Sequence, residues 1–389
     1  MNRSAFLRQS NLAKFLLAGC AAVVFGFLYA TVPRHPALAG YELQAHSPVS
    51  HKEEAPRYER QQITHGTTPF AHSVAVAELA NGSLRAFWFG GAREGATDAA
   101  IYSAVYAQGA RSWSNETIAL TPKQLQGDLQ RWVRKVGNPV VARDRQGQLR
   151  MFVVSVTAGG WAASSINTLV SEDDGATWGR AQRLITSPFL NLSTLVKGAP
   201  VLYGDGHFGV PVYHELAAKF GELLHVAENG DMLSKTRLSS GRYSLQPVIV
   251  PRDANSAVAF MRHSGSPPSR VLVQHTQDAG RTWSTPEKTM LANPNSAVDA
   301  LRLSDGSTLM AFNNSEGSRN DLSLAHSQDD GQTWRVIRQV ESSTDSRAEF
   351  SYPRLLRTKT GEYHLLYTVD KKLLRHARFN QAWLDVTLK

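Results

Sequence analysis

The sequence predicts an all-β chain, a six-bladed β-propeller that follows an amino-terminal signal or anchor segment. Three observations carry this. An octapeptide of the form Ser/Thr-x-Asp-x-Gly-x-Thr-Trp occurs at Ser171–Trp178, Thr276–Trp283 and Ser327–Trp334, with a worn copy at Tyr106–Trp113. Near-identical units in one chain signal a repeat architecture. A polar turn followed by an apolar strand recurs six times, at gaps of about 50–65 residues that suit four strands per unit. No long amphipathic helical pattern competes after residue 57.

In chain order, Arg3, Arg8 and Lys14 precede an apolar run from Phe15 to Val32. Its length is near the minimum for a membrane-spanning helix. The flanking cations place the amino terminus in the cytoplasm and the remainder outside, anchored in the membrane or released. Ala37-Leu38-Ala39 before Gly40 has the small-residue form of a cleavage site. Leu17-Ala18-Gly19-Cys20 has the letters of a lipobox, but most of the apolar run follows Cys20, which argues against lipidation. Residues 1–32 therefore read as a signal or transmembrane segment, and 33–56, with Pro33, Pro36, Pro48 and Pro56, as a linker.

The propeller occupies 57–389. The repeating hairpins are Asn81-Gly82 before Leu84–Phe89, Gln146-Gly147 before Leu149–Val154, and Asp205-Gly206 before Phe208–Tyr213. They continue with Ala254-Asn255 before Ala257–Met261, Asp305-Gly306 before Thr308–Phe312, and Thr360-Gly361 before Tyr363–Tyr367. Residues 122–133 suggest a short helix or insertion. The stretch near 373–384 is expected to close the ring with a strand near 58–64. In the octapeptides, Asp bonds its own backbone, Gly supplies positive φ, and Trp buries a large surface between units.

Lys and Arg number 42 against 33 Asp and Glu, a formal charge of +9. That balance suits an acidic partner such as an anionic glycan, or simple solubility. No helix-turn-helix, zinc-finger or basic-aromatic motif supports nucleic acid. The single cysteine, Cys20, excludes intrachain disulfides and a cysteine metal site, and no histidine pattern has metal-ligand spacing; no cofactor is expected.

Ligands of propellers usually sit at one mouth of the central channel, so charged and aromatic residues at strand ends matter most. Phe89-Gly-Gly-Ala-Arg93-Glu94-Gly-Ala-Thr-Asp98 ends a strand in two glycines, then brings an arginine and an aspartate. This reads as an anion-binding arginine beside a general acid, or as a turn with a surface ion pair. Polar clusters at Asn191–Lys197, Asn293–Asp299 and Asn313-Asn314 face the channel, to bind sugar hydroxyls or satisfy backbone groups. Trp132 and Trp161 lie outside the octapeptides and suggest a sugar-stacking platform.

The octapeptide resembles the Asp-box of sialidase-like propellers, and residues from about 65 to 378 resemble bacterial sialidase-like proteins of the BNR-repeat type. The resemblance implies an exported glycoside hydrolase acting on an acidic sugar. It implies three arginines gripping a carboxylate, an aspartate acid/base and a tyrosine nucleophile helped by a glutamate. By position, Arg93 with Asp98, then Arg262, Arg319 and Tyr352 match those roles. Two positions depart. Phe70-Ala-His72-Ser73 stands where the first carboxylate arginine is expected, and Leu245-Gln246-Pro247 where the glutamate is. A neutral amide cannot take a proton from a phenol, so Glu215 or Glu349 is the substitute to look for.

The residue chemistry agrees with parts of this. Arginine forks bind carboxylates in two-pronged geometry. An acid role for Asp98 requires a raised pKa. Tyrosine is a known exception among glycosidase nucleophiles. Other readings stay open: a polysaccharide lyase on uronic-acid glycan using His72 and Tyr352, or a propeller that binds acidic glycan without turnover. Blander roles are core packing for Tyr352, a satisfied inner-strand His72, and blade-to-blade ion pairs for Arg262 and Arg319.

Overall fold

The computed structural model describes residues 14–24, 26, 39–43, 55–187, 191–216, 218–239 and 243–388. The chain divides into Met1–Ala37 and Leu38–Lys389. In the first unit, residues 14–24 are helical and exposed. Among the described residues no helix is long and apolar enough to cross a membrane. Residue 25 and residues 27–32 of the expected run, and residues 33–38 and 44–54 of the expected linker, with Ala37 and Leu38 of the expected cleavage site, lie outside the described residues.

The second unit begins with Ala39–Leu43, inside the stretch expected to be a linker. Tyr41 N–H donates to Ala254 O (2.6 Å), Glu42 N–H to Leu202 O (2.8 Å) and Gly204 N–H to Gly40 O (2.7 Å). The Tyr41 ring stacks on Tyr203 at 4.9 Å. This short segment laces the third and fourth blades.

The propeller follows in order. Strand β1 (Tyr58–Gln62) is held back for closure. Blade 1 is β2 (Phe70–Glu78), β3 (Leu84–Gly91), β4 (Ala100–Tyr106) and β5 (Thr117–Leu120). Helix α1 (Pro122–Leu129) intervenes where a short helix was expected; Thr121 Oγ1 caps it by accepting from Gln124 N–H. Blade 2 is β6 (Lys135–Arg143), β7 (Leu149–Val156), β8 (Ser164–Ser171) and β9 (Gln182–Arg183). Blade 3 has a split inner strand, β10 (Leu195–Val196) and β11 (Val201–Leu202), then β12 (Phe208–His214), β13 (Phe220–Val226) and β14 (Met232–Arg237). Blade 4 is β15 (Ser244–Pro251), β16 (Ala257–His263), β17 (Arg270–Thr276) and β18 (Glu287–Ala292). Blade 5 is β19 (Asp299–Arg302), β20 (Thr308–Phe312), β21 (Asp321–Ser327) and β22 (Arg335–Ser342). Blade 6 is β23 (Phe350–Arg357), β24 (Tyr363–Val369) and β25 (Leu373–Phe379), completed by β1. The closing ladder runs antiparallel from Tyr58↔Phe379 to Gln62↔Arg375, and α2 (Gln381–Leu388) follows.

The three octapeptides share one geometry. In each, the leading Ser or Thr hydroxyl donates to the Asp carboxylate and accepts from the Gly N–H. Asp accepts from the Thr N–H and from its hydroxyl, the latter at 2.6 Å every time. Those bonds hold the Asp173 carboxyl down at about 2, the Thr177 hydroxyl contributing most. The glycine sits at positive φ against the preceding blade: a Cβ on Gly331 would meet the Phe260 ring at 2.7 Å. Trp334 packs edge-on to the same ring at 5.4 Å, and Trp178 on Phe87 at 5.6 Å. The boxes are thus buttons that fasten blades 2, 4 and 5 each to the one before, Gly175 against Phe87, Gly280 against Leu223 and Gly331 against Phe260. Antiparallel pairing places them, with the tight inner hairpins, at the opposite end of the strands from the site below.

Apolar side chains fill the seams between blades. Phe87 and Phe89 of blade 1 pack with Leu149, Met151 and Val153 of blade 2. Leu309 and Leu324 of blade 5 pack with Leu365 and Tyr367 of blade 6. Near the axis, buried Lys197 of blade 3 donates to Val298 O (2.6 Å) and Pro353 O (2.8 Å) on blades 5 and 6. Asp299 accepts from Arg354 (3.0 Å) and from Leu355 N–H (2.6 Å), with Lys197 at 3.8 Å. Burial pulls the Lys197 ammonium down to about 8 against the pull of Asp299. Lys197 and Asp299, the last members of the polar stretches Asn191–Lys197 and Asn293–Asp299, therefore serve as blade-to-blade ties, whereas Asn191 and Asn293 bond within their own loops.

Candidate functional site

One backbone feature recurs at the head of every blade. Ser73, Asn138, Ser193, Gln246, Asn295 and Tyr352 all have positive φ without being glycine. In β2, β6, β15 and β23 the pairing register shifts at that point, as at a β-bulge. Left-handed backbone costs roughly 1–3 kcal/mol per non-glycine residue and gathers where function holds it. At each bulge the side chain leaves the two-sided alternation of the strand, and the heads of six inner strands ring one mouth of the channel.

Gln246, Arg262, Tyr352 and His72 come together there. The Gln246 amide donates to the Tyr352 phenol oxygen at 2.8 Å and to the buried Tyr213 oxygen at 3.3 Å. Arg262 donates to the Gln246 carbonyl at 3.2 Å, which fixes which end of the amide faces the phenols. The Arg262 Nε donates to Asn295 Oδ1 at 2.6 Å, and Arg319 donates to Asn295 O at 2.7 Å. One residue thereby spaces the two arginines. Arg319 also pairs with Glu349 at 2.9 Å. The His72 ring lies 4.2 Å from the Tyr352 ring, and its Nδ1 is 3.2 Å from Thr368 Oγ1.

Electrostatics follow from burial among cations. His72 is held well below the usual imidazole range by burial, then by Lys371, Arg319 and Arg262; it is a neutral imidazole at physiological pH. Burial, then Tyr352 and Glu215, push the Tyr213 phenol well up. Tyr213 keeps its proton and remains a donor. Lys135 lies buried with its ammonium 4.2 Å above the Trp161 ring, and burial lowers its pKa.

The other expected residues sit farther out. Arg93 and Asp98 are exposed on the loop after β3. Asp98 accepts from Ala92 N–H at 3.0 Å and so closes its own loop. Its carboxylate is otherwise exposed to solvent. Between them, Glu94 pairs with Lys371 at 3.1 Å. Glu215 is half-buried, and its backbone N–H donates to Ser193 Oγ at 2.9 Å. Trp161 and Trp132 do not form one platform: Trp161 packs on Phe89 (5.8 Å), whereas Trp132 lines a separate groove. Among the described residues no cluster of three or more His, Cys, Asp or Glu has metal-binding geometry.

Sequence reasoning missed Tyr213, Asn138, Lys135 and the role of Asn295 as a spacer. A signal was present. Asn138-Pro139, Gln246-Pro247 and Tyr352-Pro353 repeat a polar residue before proline at the head of an inner strand, once per blade in three blades.

The family model for BNR repeat-like domains matches residues 82–365. The chain belongs to the BNR repeat-like domain family. No curated protein matches it. Solved structures similar to this BNR propeller include a protein of unknown function from Dyadobacter fermentans, 15% identical with a TM-score of 0.68, covering 84% of this chain and 99% of that one. The Hadza microbial sialidase Hz136 is 15% identical at TM-score 0.66, covering 82% and 68%. The intramolecular trans-sialidase from Ruminococcus gnavus is 15% identical at 0.64, covering 82% and 96%. At this identity the likeness is one of fold: a sialidase-like six-bladed propeller.

Proposed function

We propose that this BNR propeller is an exported glycoside hydrolase acting on an acidic sugar, sialic acid or a relative. The observation that carries it is the relay Arg262–Gln246–Tyr352, with Arg319 spaced from Arg262 by Asn295. Two guanidinium groups at one mouth suit a carboxylate. Arg93 adds positive charge at the rim. The amide N–H aimed at the Tyr352 oxygen stabilises negative charge as that oxygen attacks the anomeric carbon. Gln246 cannot accept the phenol proton. Tyr213 keeps its own proton, so the proton from half-buried Tyr352 passes to water at the open mouth. Asp98 protonates the leaving oxygen, its loop buried by the bound glycan. The cations before the run Phe15–Val32 support placing the domain outside the cytoplasm, tethered by that segment or released from it.

A second reading, a uronic-acid lyase, is favoured by His72. A neutral imidazole packed on a tyrosine beside a carboxylate-binding arginine has the parts for removing and returning a proton in β-elimination.

The test is product analysis with the full chain on a fluorogenic sialoside and a panel of uronic-acid polysaccharides, beside Asp98→Asn and Tyr352→Phe. Sialoside release lost in both variants supports hydrolysis. An unsaturated product absorbing in the ultraviolet, lost in His72→Ala, replaces it with elimination. Retention of full sialoside release in Asp98→Asn removes Asp98 from the mechanism.

A further inference from the structure

We propose that the groove on the outer flank of blade 1 is a second carbohydrate subsite, stacking a pyranose ring on Trp132 and taking an anionic substituent on Arg134 and Lys123. The groove has a volume of ≈ 430 Å³ and is walled by Tyr102, Asp98, Ile118 and those three residues. Its size falls within the roughly 300–1,000 Å³ of small-molecule sites.

Local structure explains why the indole faces out. Helix α1 ends at Gln130 in left-handed conformation. The chain then runs extended into β6, with Val133 and Lys135 buried and Trp132 and Arg134 exposed between them. That alternation sets the indole beside the guanidinium on one face. Val133 donates its N–H to Gln126 Oε1 (3.3 Å), and Leu125 of α1 is fully buried, which anchors the ledge to the blade. Trp132 is 56% exposed and Ile118 58%. The other seven of the eight tryptophans are buried or half-buried.

An exposed aromatic face flanked by Thr97, Gln126 and two cations matches a sugar ring, which has apolar C–H faces and a hydroxyl rim. The surplus of cations over Asp98 within the groove complements an acidic glycan. Asp98 stands in the groove wall, so a chain bound here passes the acid proposed for the mouth. The ligand class rests on the acidic-glycan reading; the groove itself does not.

The experiment is native affinity electrophoresis of the full chain through gels containing polysialic acid, hyaluronan or polygalacturonate. Variants are Trp132→Ala, Arg134→Gln and, as a mouth control, Arg262→Ala. The expected result is retardation of the wild type by at least one polymer. Trp132→Ala weakens it about fivefold or more, and Arg134→Gln weakens it less. Turnover of a small fluorogenic glycoside stays within about twofold of wild type in Trp132→Ala, because that substrate is too short to span both sites. Retardation of Trp132→Ala equal to wild type, with loss in Arg262→Ala, overturns the groove and leaves the mouth standing. Retardation without turnover of any small glycoside keeps the groove and removes the hydrolase. No retardation of the wild type by any polymer overturns the groove.

Discussion

The two ends of this propeller use repetition in opposite ways. At the Asp-box end, three copies of one octapeptide make the same bonds, down to a Thr hydroxyl donating to Asp at 2.6 Å each time. At the mouth, six equivalent left-handed positions hold Ser73, Asn138, Ser193, Gln246, Asn295 and Tyr352, four residue types with Ser and Asn each used twice. A turn that only fastens blades has one best solution, and the chain reuses it. A ring of strained positions around a channel is kept for what each side chain does there, so its members diverge.

Tyr352→Phe puts that contrast to its largest test. Loss of the phenol oxygen lowers turnover by on the order of 10³–10⁴-fold, while the melting temperature, measured by calorimetry, stays near wild type. Trp334→Ala does the reverse. Trp334 is 7% exposed, and removing such an aromatic costs about 3–5 kcal/mol in denaturant unfolding, with turnover per folded molecule unchanged. A large drop in turnover from Trp334→Ala would erase the division between the two ends.

Acidification acts on both ends. His72 at the mouth and the pair His364–His376 (2.8 Å apart) near the closing seam are buried and held neutral, His376 down to about 3. The unfolded chain protonates these rings near pH 6.5 and the folded chain does not. Stability is therefore full above about pH 6.5 and falls as pH drops toward 3, by up to about 1.4 kcal/mol per pH unit for each ring. Melting temperatures measured from pH 7.5 to 5 should decline, and His376→Gln should flatten the slope whatever its effect at pH 7.5.

Gln246→Glu gives the smallest and most pointed effect. A carboxylate next to Tyr352 can accept the phenol proton, so hydrolysis is expected to rise by about tenfold. If elimination is the reaction, a new negative charge repels the substrate carboxylate and turnover falls instead. Initial rates on the active substrate decide the sign.

Much of this was legible in residue order. The box spacing and the recurring hairpins predicted six blades, and six sheets are present. The closing strand was placed near 58–64 and lies at Tyr58–Gln62. Local chemistry explains that success: Asp, Gly and Trp at fixed offsets dictate a turn wherever they stand. The stretch 33–56 was harder, because the docking of Ala39–Leu43 depends on Ala254 and Leu202, far along the chain.

At the mouth, the sequence by itself determined which chemical groups exist: His72, Gln246, Arg262, Arg319 and Tyr352 were singled out from strand ends and family resemblance. Only the tertiary structure decided how they act on one another. Tyr213, Gln246 and Tyr352 come from blades 3, 4 and 6, and Asn295 separates two arginines from blades 4 and 5. No local pattern encodes such contacts, because they arise from closing a ring. The same closure buries His72 among cations and keeps it neutral, yet leaves Asp98 in solvent on the loop it fastens. Residue order supplies the charges; the curvature of the closed propeller sets their distances and their dielectric, and with those their chemistry.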